Sequence, residues 1–202
     1  MERDLAGEIP APVFPQGYEF RHIPREQGHL WESVMDQAFG KYPAGDFELV
    51  MVQNYGYLPE RVYILFDERD QPCATASAWS QPWRWGEEYG FVIFVGVIPA
   101  LRNRGLAKQM LFSICDTIKK RGQHFALLDV DSKNLAAVKC YLNAGFLPRL
   151  TSRRQARVWK GILKKLNMKN VSYPGEILRS MDNPHPARPW LLDLREQGEE
   201  VR

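Results

Sequence analysis

The sequence predicts an α/β fold, a mixed sheet of about six or seven strands flanked by helices, and three stretches predict it. "GFVIFVGV" (90–97) is apolar on both faces, which marks a strand covered on two sides in the middle of a sheet. Leu106, Met110, Leu111, Ile114, Cys115 and Ile118 recur at helical spacing just after it. "HFALLDV" (124–130) follows as a second buried strand, and two strands joined through one helix run parallel with a right-handed crossover.

Taken in order, residues 1–16 form a proline-rich lead, and "YEFRHI" (18–23) alternates as a first strand does. "HLWESVMDQAF" places Leu30, Trp31, Val34, Met35 and Phe39 on one helix face, and "DFELVMVQNYG" (46–56) carries a weaker helical pattern. "RVYILFDE" (61–68) and "CATASAWS" (73–80) flank the turn-forming "RDQP", so residues 61–80 read as a hairpin. The loop "QPWRWGEEYG" leads into the central strand, where Gly96 predicts a bulge or a close backbone approach. The following helix ends in "KKRG", with cations at its negative end and Gly122 as its stop. "NLAAVKCYLNAGF" (134–146) is a short helix that Asn134 caps and Gly145 ends. "FLPRL" reads as an edge strand, and "ARVWKGILKKL" as a helix through Val158, Ile162, Leu163 and Leu166. The domain proper is expected over 17–166, with 167–202 as an extension carrying prolines 174, 184, 186 and 189 that wraps the domain or frays.

The bulk values bound the function. With 202 residues, 45% of them hydrophobic and 12% aromatic, the chain has material for a real core, which excludes disorder of the whole. A net charge of +3 does not by itself announce a nucleic-acid protein. Residues 151–170 hold seven basic residues and no acid; they read first as a solvated helix side whose stems cover apolar ground, with an anionic partner as the rival. Cys73, Cys115 and Cys140 fit neither a disulfide framework nor a zinc site, so no metal is expected and the thiols are expected reduced. The start has no apolar leader core, and no apolar run approaches the ~18 residues that span a bilayer. The expectation is a soluble, cytoplasmic protein with no membrane partner.

The chemistry concentrates in "VGVIPALRNRGLAKQML" (97–113). A loop between a buried strand and a helix mouth points free backbone N–H groups outward, and the helix dipole adds positive charge there. Phosphate is the natural guest. Gly105 lets a ligand approach the backbone, while Arg102 and Arg104 supply neutralising charge. No lysine–serine or lysine–threonine ending makes it a P-loop, and no G-x-G-x-x-G makes it a dinucleotide turn.

The segment does contain R-x-x-G-x-A, Arg102 to Ala107, and about thirty residues on comes N-x-x-A-x-x-x-Y-x-x-x-G-F, carried by Asn134, Ala137, Tyr141, Gly145 and Phe146. The pair resembles the two signatures of the GNAT superfamily of N-acetyltransferases, over about residues 17 to 150. A looser likeness joins "VGVIPALRNRGLA" and "YLNAGF" to the acyltransferases that build small thiols such as mycothiol; it fixes no substrate. The resemblance implies a mostly antiparallel sheet with one splayed parallel strand pair, and acetyl-CoA or another acyl-CoA as co-substrate. It implies that Val97 offers its backbone to the pantetheine and thioester, that the amides of Arg102, Asn103, Arg104, Gly105, Leu106 and Ala107 hold the pyrophosphate, and that Asn134 lies beside the coenzyme. Tyr141 would give its proton to the departing thiolate, and an amine would attack the thioester directly.

A base is missing from the strand where many relatives place one: "GFVIFVGV" has no acid or histidine. Glu87 and Glu88 before it, or Asp131 after the next strand, are expected to act through water. Trp83 and Trp85 set aromatic faces beside the two glutamates, which suits a cationic acceptor. The activity expected is transfer of a short acyl group, most simply acetyl, from coenzyme A to an amine. The rival is an idle domain that binds acyl-CoA as a sensor or scaffold. A homodimer and the acceptor's identity stay open.

Overall fold

The structure, a computed structural model, describes residues 1–40, 42–150 and 152–168. The extension expected over 167–202 therefore lies outside the described residues from position 169 onward.

Six strands form one sheet in the order β1-β6-β5-β4-β3-β2, where β1 is Glu2–Asp4, β2 Glu19–His22, β3 Val62–Phe66, β4 Pro72–Trp79, β5 Tyr89–Val97 and β6 Phe125–Leu127. Every neighbouring pair is antiparallel except β5 and β6, which run parallel. The helices are α1 (Gly28–Phe39), the single turn α2 (Pro82–Trp85), α3 (Leu106–Lys120), α4 (Leu135–Asn143) and α5 (Arg153–Lys165). Phe47–Val52 winds more loosely, as a π-helix. The mixed α/β sheet of the sequence reading is thus the observed fold.

Side-chain alternation along the strands divides the core into two layers. Ala74, Ala76, Ala78, Val92, Ala126 and Leu128 pack against Met110, Leu111, Ile114 and Ile118 of α3. Val62, Ile64, Trp79, Phe91, Ile93 and Leu127 pack against Trp31 and Met35 of α1 and Phe47 and Met51 of the π-helix. A third cluster seats Ile162 and Leu163 of α5 on Val138 and Leu142 of α4. Gly90 lets β5 lie close against α3: a Cβ there would lie 2.3 Å from Ile118 Cγ2.

Two local readings need correction, and a third is decided between its alternatives. Glu2–Asp4, within the expected lead, is a sheet-edge strand in register with β6; Leu5 behind it is fully buried, and the chain then runs along α3, where Lys119 Nζ donates to the Gly7 carbonyl and Val13 N–H donates to Gln109. "FLPRL" makes a single bridge, Leu147 to Glu2, rather than a strand, because Pro148 has no N–H to continue a ladder. Gly96 is no bulge. It sits opposite Thr75 in register, and a Cβ there would lie 3.1 Å from Phe39, so the glycine admits α1.

Candidate functional site

The bulge lies two residues earlier than Gly96. Between the pairs Ser77–Ile93 and Thr75–Gly96, β5 carries one residue more than β4, and Phe94 takes up the excess at φ 52. The left-handed turn keeps Phe94 with Ile93 on the α1 face, edge-on to Trp31 at 5.2 Å, and returns Val95 and Val97 to the α3 face. A non-glycine residue held at positive φ costs about 1–3 kcal/mol, a conformation that clusters at functional sites.

The parallel strands pair only from Tyr89–Phe125 to Phe91–Leu127. Beyond that point β6 stays with the N-terminal segment, through Leu128 N–H to the Met1 carbonyl at 3.0 Å, and parts from β5. The two strands therefore fork. Ile98 N–H donates to the Cys73 carbonyl at 3.1 Å, in register with the facing pair Ala74–Val97. By alternation, the N–H and C=O of Val97 turn away from β4 toward the fork. Arg102 takes the carbonyl: its Nε donates to Val97 O at 3.1 Å while its terminal nitrogen donates to Ala38 O at 2.8 Å, at the end of α1. The guanidinium expected to neutralise a ligand instead ties the strand end to the helix, and only the N–H of Val97 remains to offer.

After Val97 the chain makes a 3-10 turn over Pro99–Leu101, in which the Arg102 amide is also spent, on Pro99 O at 3.3 Å. Asn103 and Gly105 then adopt left-handed backbone, at φ 63 and 79. α3 starts with no side-chain cap. Among the described residues none accepts a hydrogen bond from the amides of Asn103, Arg104, Gly105, Leu106 or Ala107. Five consecutive N–H groups thus stand at the positive end of a 15-residue helix. A Cβ at Gly105 would meet no protein atom within 4 Å. Arg104 is exposed, with one long contact of 3.5 Å to Ala100 O.

α4 flanks the fork from the α3 side. Asn134 accepts from Ala137 N–H at 3.1 Å and is exposed, so its side chain serves as the helix cap. Tyr141 is buried in the α3 layer with Leu106 and Met110, edge-on to Phe146 at 6.3 Å. Burial pushes its phenol well above the ordinary tyrosine range, which keeps the proton on the oxygen.

The acceptor-side residues divide. Trp85 stacks on Phe91 at 5.8 Å, on the α1 face where the strands begin to part, and Trp83 is exposed against Tyr55 at 5.4 Å. Glu87 and Glu88 follow the same turn, with the Glu88 carboxylate beside Gly86, but at the end of β5 remote from Val97. The Glu88 carbonyl accepts from His124 and Phe125, at the closed end of the fork, and β5 spans 9 residues from there to Val97, about 30 Å of extended chain. Asp131 lies at the open end, but its Oδ1 accepts from Lys133 N–H at 2.9 Å and shapes the turn into α4. Among the described residues no group of three or more histidine, cysteine or acidic side chains is placed to hold a metal, and no helix is long and apolar enough to cross a membrane.

The pattern described as "Acetyltransferase (GNAT) family" matches residues 28–146. Among characterised sequences, the chain is similar to mycothiol acetyltransferase of Renibacterium salmoninarum, 27% identical over 71% of this chain and 44% of that protein. A second mycothiol acetyltransferase, from Thermobispora bispora, is also 27% identical, over 72% of this chain and 52% of its own. The chain spans about half the length of the curated relatives it matches. Among solved structures it resembles a GCN5-related N-acetyltransferase from Sphaerobacter thermophilus, with TM-score 0.57 and 22% identity over 71% of this chain and 45% of that one. An aminoglycoside N-acetyltransferase in complex with CoA gives TM-score 0.54 and 17% identity over 67% of this chain and 93% of that one.

Proposed function

The chain belongs to the acetyltransferase (GNAT) family, and on that premise we propose that it transfers an acetyl or other short acyl group from coenzyme A to an amine, by direct attack within a ternary complex. The observation that carries this reading is the run of five amides, Asn103 to Ala107, that no described residue accepts from, at the mouth of α3. A diphosphate would take such donors as charge-assisted hydrogen bonds.

With the diphosphate there, the pantetheine arm follows the fork beside β5, where the Val97 N–H is turned toward it. The amine approaches from the α1 face, past Trp85 and Trp83. Its nitrogen attacks the thioester carbon, the C–S bond breaks, and the phenol of Tyr141 gives its proton to the departing thiolate. The nitrogen's surplus proton then restores the phenol. No covalent enzyme intermediate is needed, and Cys140, half-buried with its thiol raised by burial, is a poor nucleophile.

The competing reading, an idle domain that binds acyl-CoA, is favoured by one observation: β5 presents no acid or histidine to the fork. Thermal melting with acetyl-CoA, longer acyl-CoAs and free CoA tests the coenzyme. Ligand at a hundredfold its Kd adds about 2.7 kcal/mol, and no shift with any of them overturns both readings. Free-thiol release with a panel of primary amines separates them: binding without turnover leaves the sensor.

A further inference from the structure

The missing base has a candidate on the other arm of the fork. Asp129 follows β6 two residues beyond the last paired position, Leu127. Ala126 and Leu128 belong to the α3 layer and Leu127 to the α1 layer, and the chain stays extended through Leu128. Alternation therefore sends the Asp129 side chain to the α1 face, just past the point where the strands separate. That is the face on which Phe91, Ile93 and Trp85 lie. The charge of Arg84, on the same single turn as Trp85, acts on Asp129 and agrees with that placement.

Several other carboxylates already have partners: Glu32 accepts from Gly45 and Phe47 N–H, Glu48 pairs with Arg25, and Glu60 with Arg121. Asp46, raised likewise by burial and making no cap bond, sits ahead of the π-helix and on neither arm of the fork. Asp131 holds its turn. Asp129 is exposed at the surface and accepts a hydrogen bond from none of the described residues; partial desolvation raises its carboxyl above the usual range, against the opposing charges of the Met1 ammonium and Arg84. A raised carboxyl is a better proton acceptor than an ordinary one.

Resting on the acetyl-transfer reading, we propose that Asp129 takes the proton from the acceptor ammonium. One N–H bond of the ammonium breaks and one O–H bond forms on the carboxylate, directly or through one water. The neutral amine then attacks the thioester, and the protonated Asp129 returns its proton to solvent after the product leaves.

The test is Asp129→Asn, with Asp129→Glu beside it to keep the charge should the amide variant fold poorly. Acetyl-CoA is the donor; the acceptor probes are ethanolamine, 2-phenylethylamine and glucosamine on one side and hydroxylamine, largely unprotonated at neutral pH, on the other. Asp129→Asn should slow transfer to the alkyl amines about 100-fold or more and spare hydroxylamine and CoA affinity, with Asp129→Glu between it and wild type. Arg84→Met should move the acidic limb of the alkyl-amine rate upward in pH, because a positive charge that lowers the carboxyl has gone. Unchanged alkyl-amine rates, or equal loss with both kinds of nucleophile, overturn the assignment. A wild type that binds acetyl-CoA yet serves neither kind of nucleophile overturns the transfer reading itself, and the role of Asp129 with it.

Discussion

Gly105→Ala separates what the turn does for the fold from what it does for a ligand. The residue sits at φ 79, and an added Cβ would meet no protein atom within 4 Å. The fold therefore loses only backbone strain, about 1–2 kcal/mol for an L-residue in left-handed conformation, or ~2–8 °C in melting temperature for a domain of this size. A diphosphate seated on the amides from Asn103 to Ala107 meets the new methyl directly. Loss of two charge-assisted hydrogen bonds at about 1.5 kcal/mol each weakens CoA binding roughly 100-fold. Pantetheine, which lacks the diphosphate, should keep its affinity. Calorimetric titration of wild type and variant with CoA and with pantetheine reads both numbers. A CoA affinity within twofold of wild type, or an equal loss for pantetheine, refutes the reasoning.

Three further outcomes are expected. Tyr141→Phe keeps the buried ring and removes the proton, so turnover should fall by about 10²–10³ with CoA affinity intact; an unchanged turnover removes the phenol from the chemistry. Gly90→Ala forces a methyl to 2.3 Å from Ile118 Cγ2 and should cost about 1–3 kcal/mol in denaturant unfolding, and a variant as stable as wild type contradicts the strand-to-helix packing. Trp83→Ala trims an exposed ring that touches Tyr55, so it should raise the acceptor KM severalfold and leave the melting temperature and CoA binding alone; unaltered acceptor kinetics dismiss Trp83 as an acceptor contact.

The elements most legible in the sequence are those whose residues carry their own periodicity. The apolar run of β5 and the stripe of α3 are each long enough to state their partners, and Asn134 and Gly145 bracket α4 by cap chemistry. Glu2–Asp4 has no such pattern. Three charged residues form a strand only because β6, more than a hundred positions away, offers a free edge, and the buried side chains of Arg3 and Leu5 anchor the segment there. The bulge was legible as an event and not as a position: the left-handed residue is Phe94, held there by Trp31 and Tyr42 rather than by glycine freedom. At the site, the loop-to-helix amides follow from chain order alone, whereas the diversion of Arg102 to the carbonyls of Val97 and Ala38 depends on where α1 ends in space. Asp129 was open to discovery by counting alternation along "HFALLDV", but only the register with β5 tells which face of the fork it occupies.

A crystal structure with bound CoA measures the central claim most directly. The account predicts diphosphate oxygens about 2.7–3.2 Å from the backbone nitrogens between Asn103 and Ala107, with the pantetheine running into the fork between β5 and β6. A coenzyme ordered elsewhere on the protein, with those nitrogens facing solvent, contradicts it.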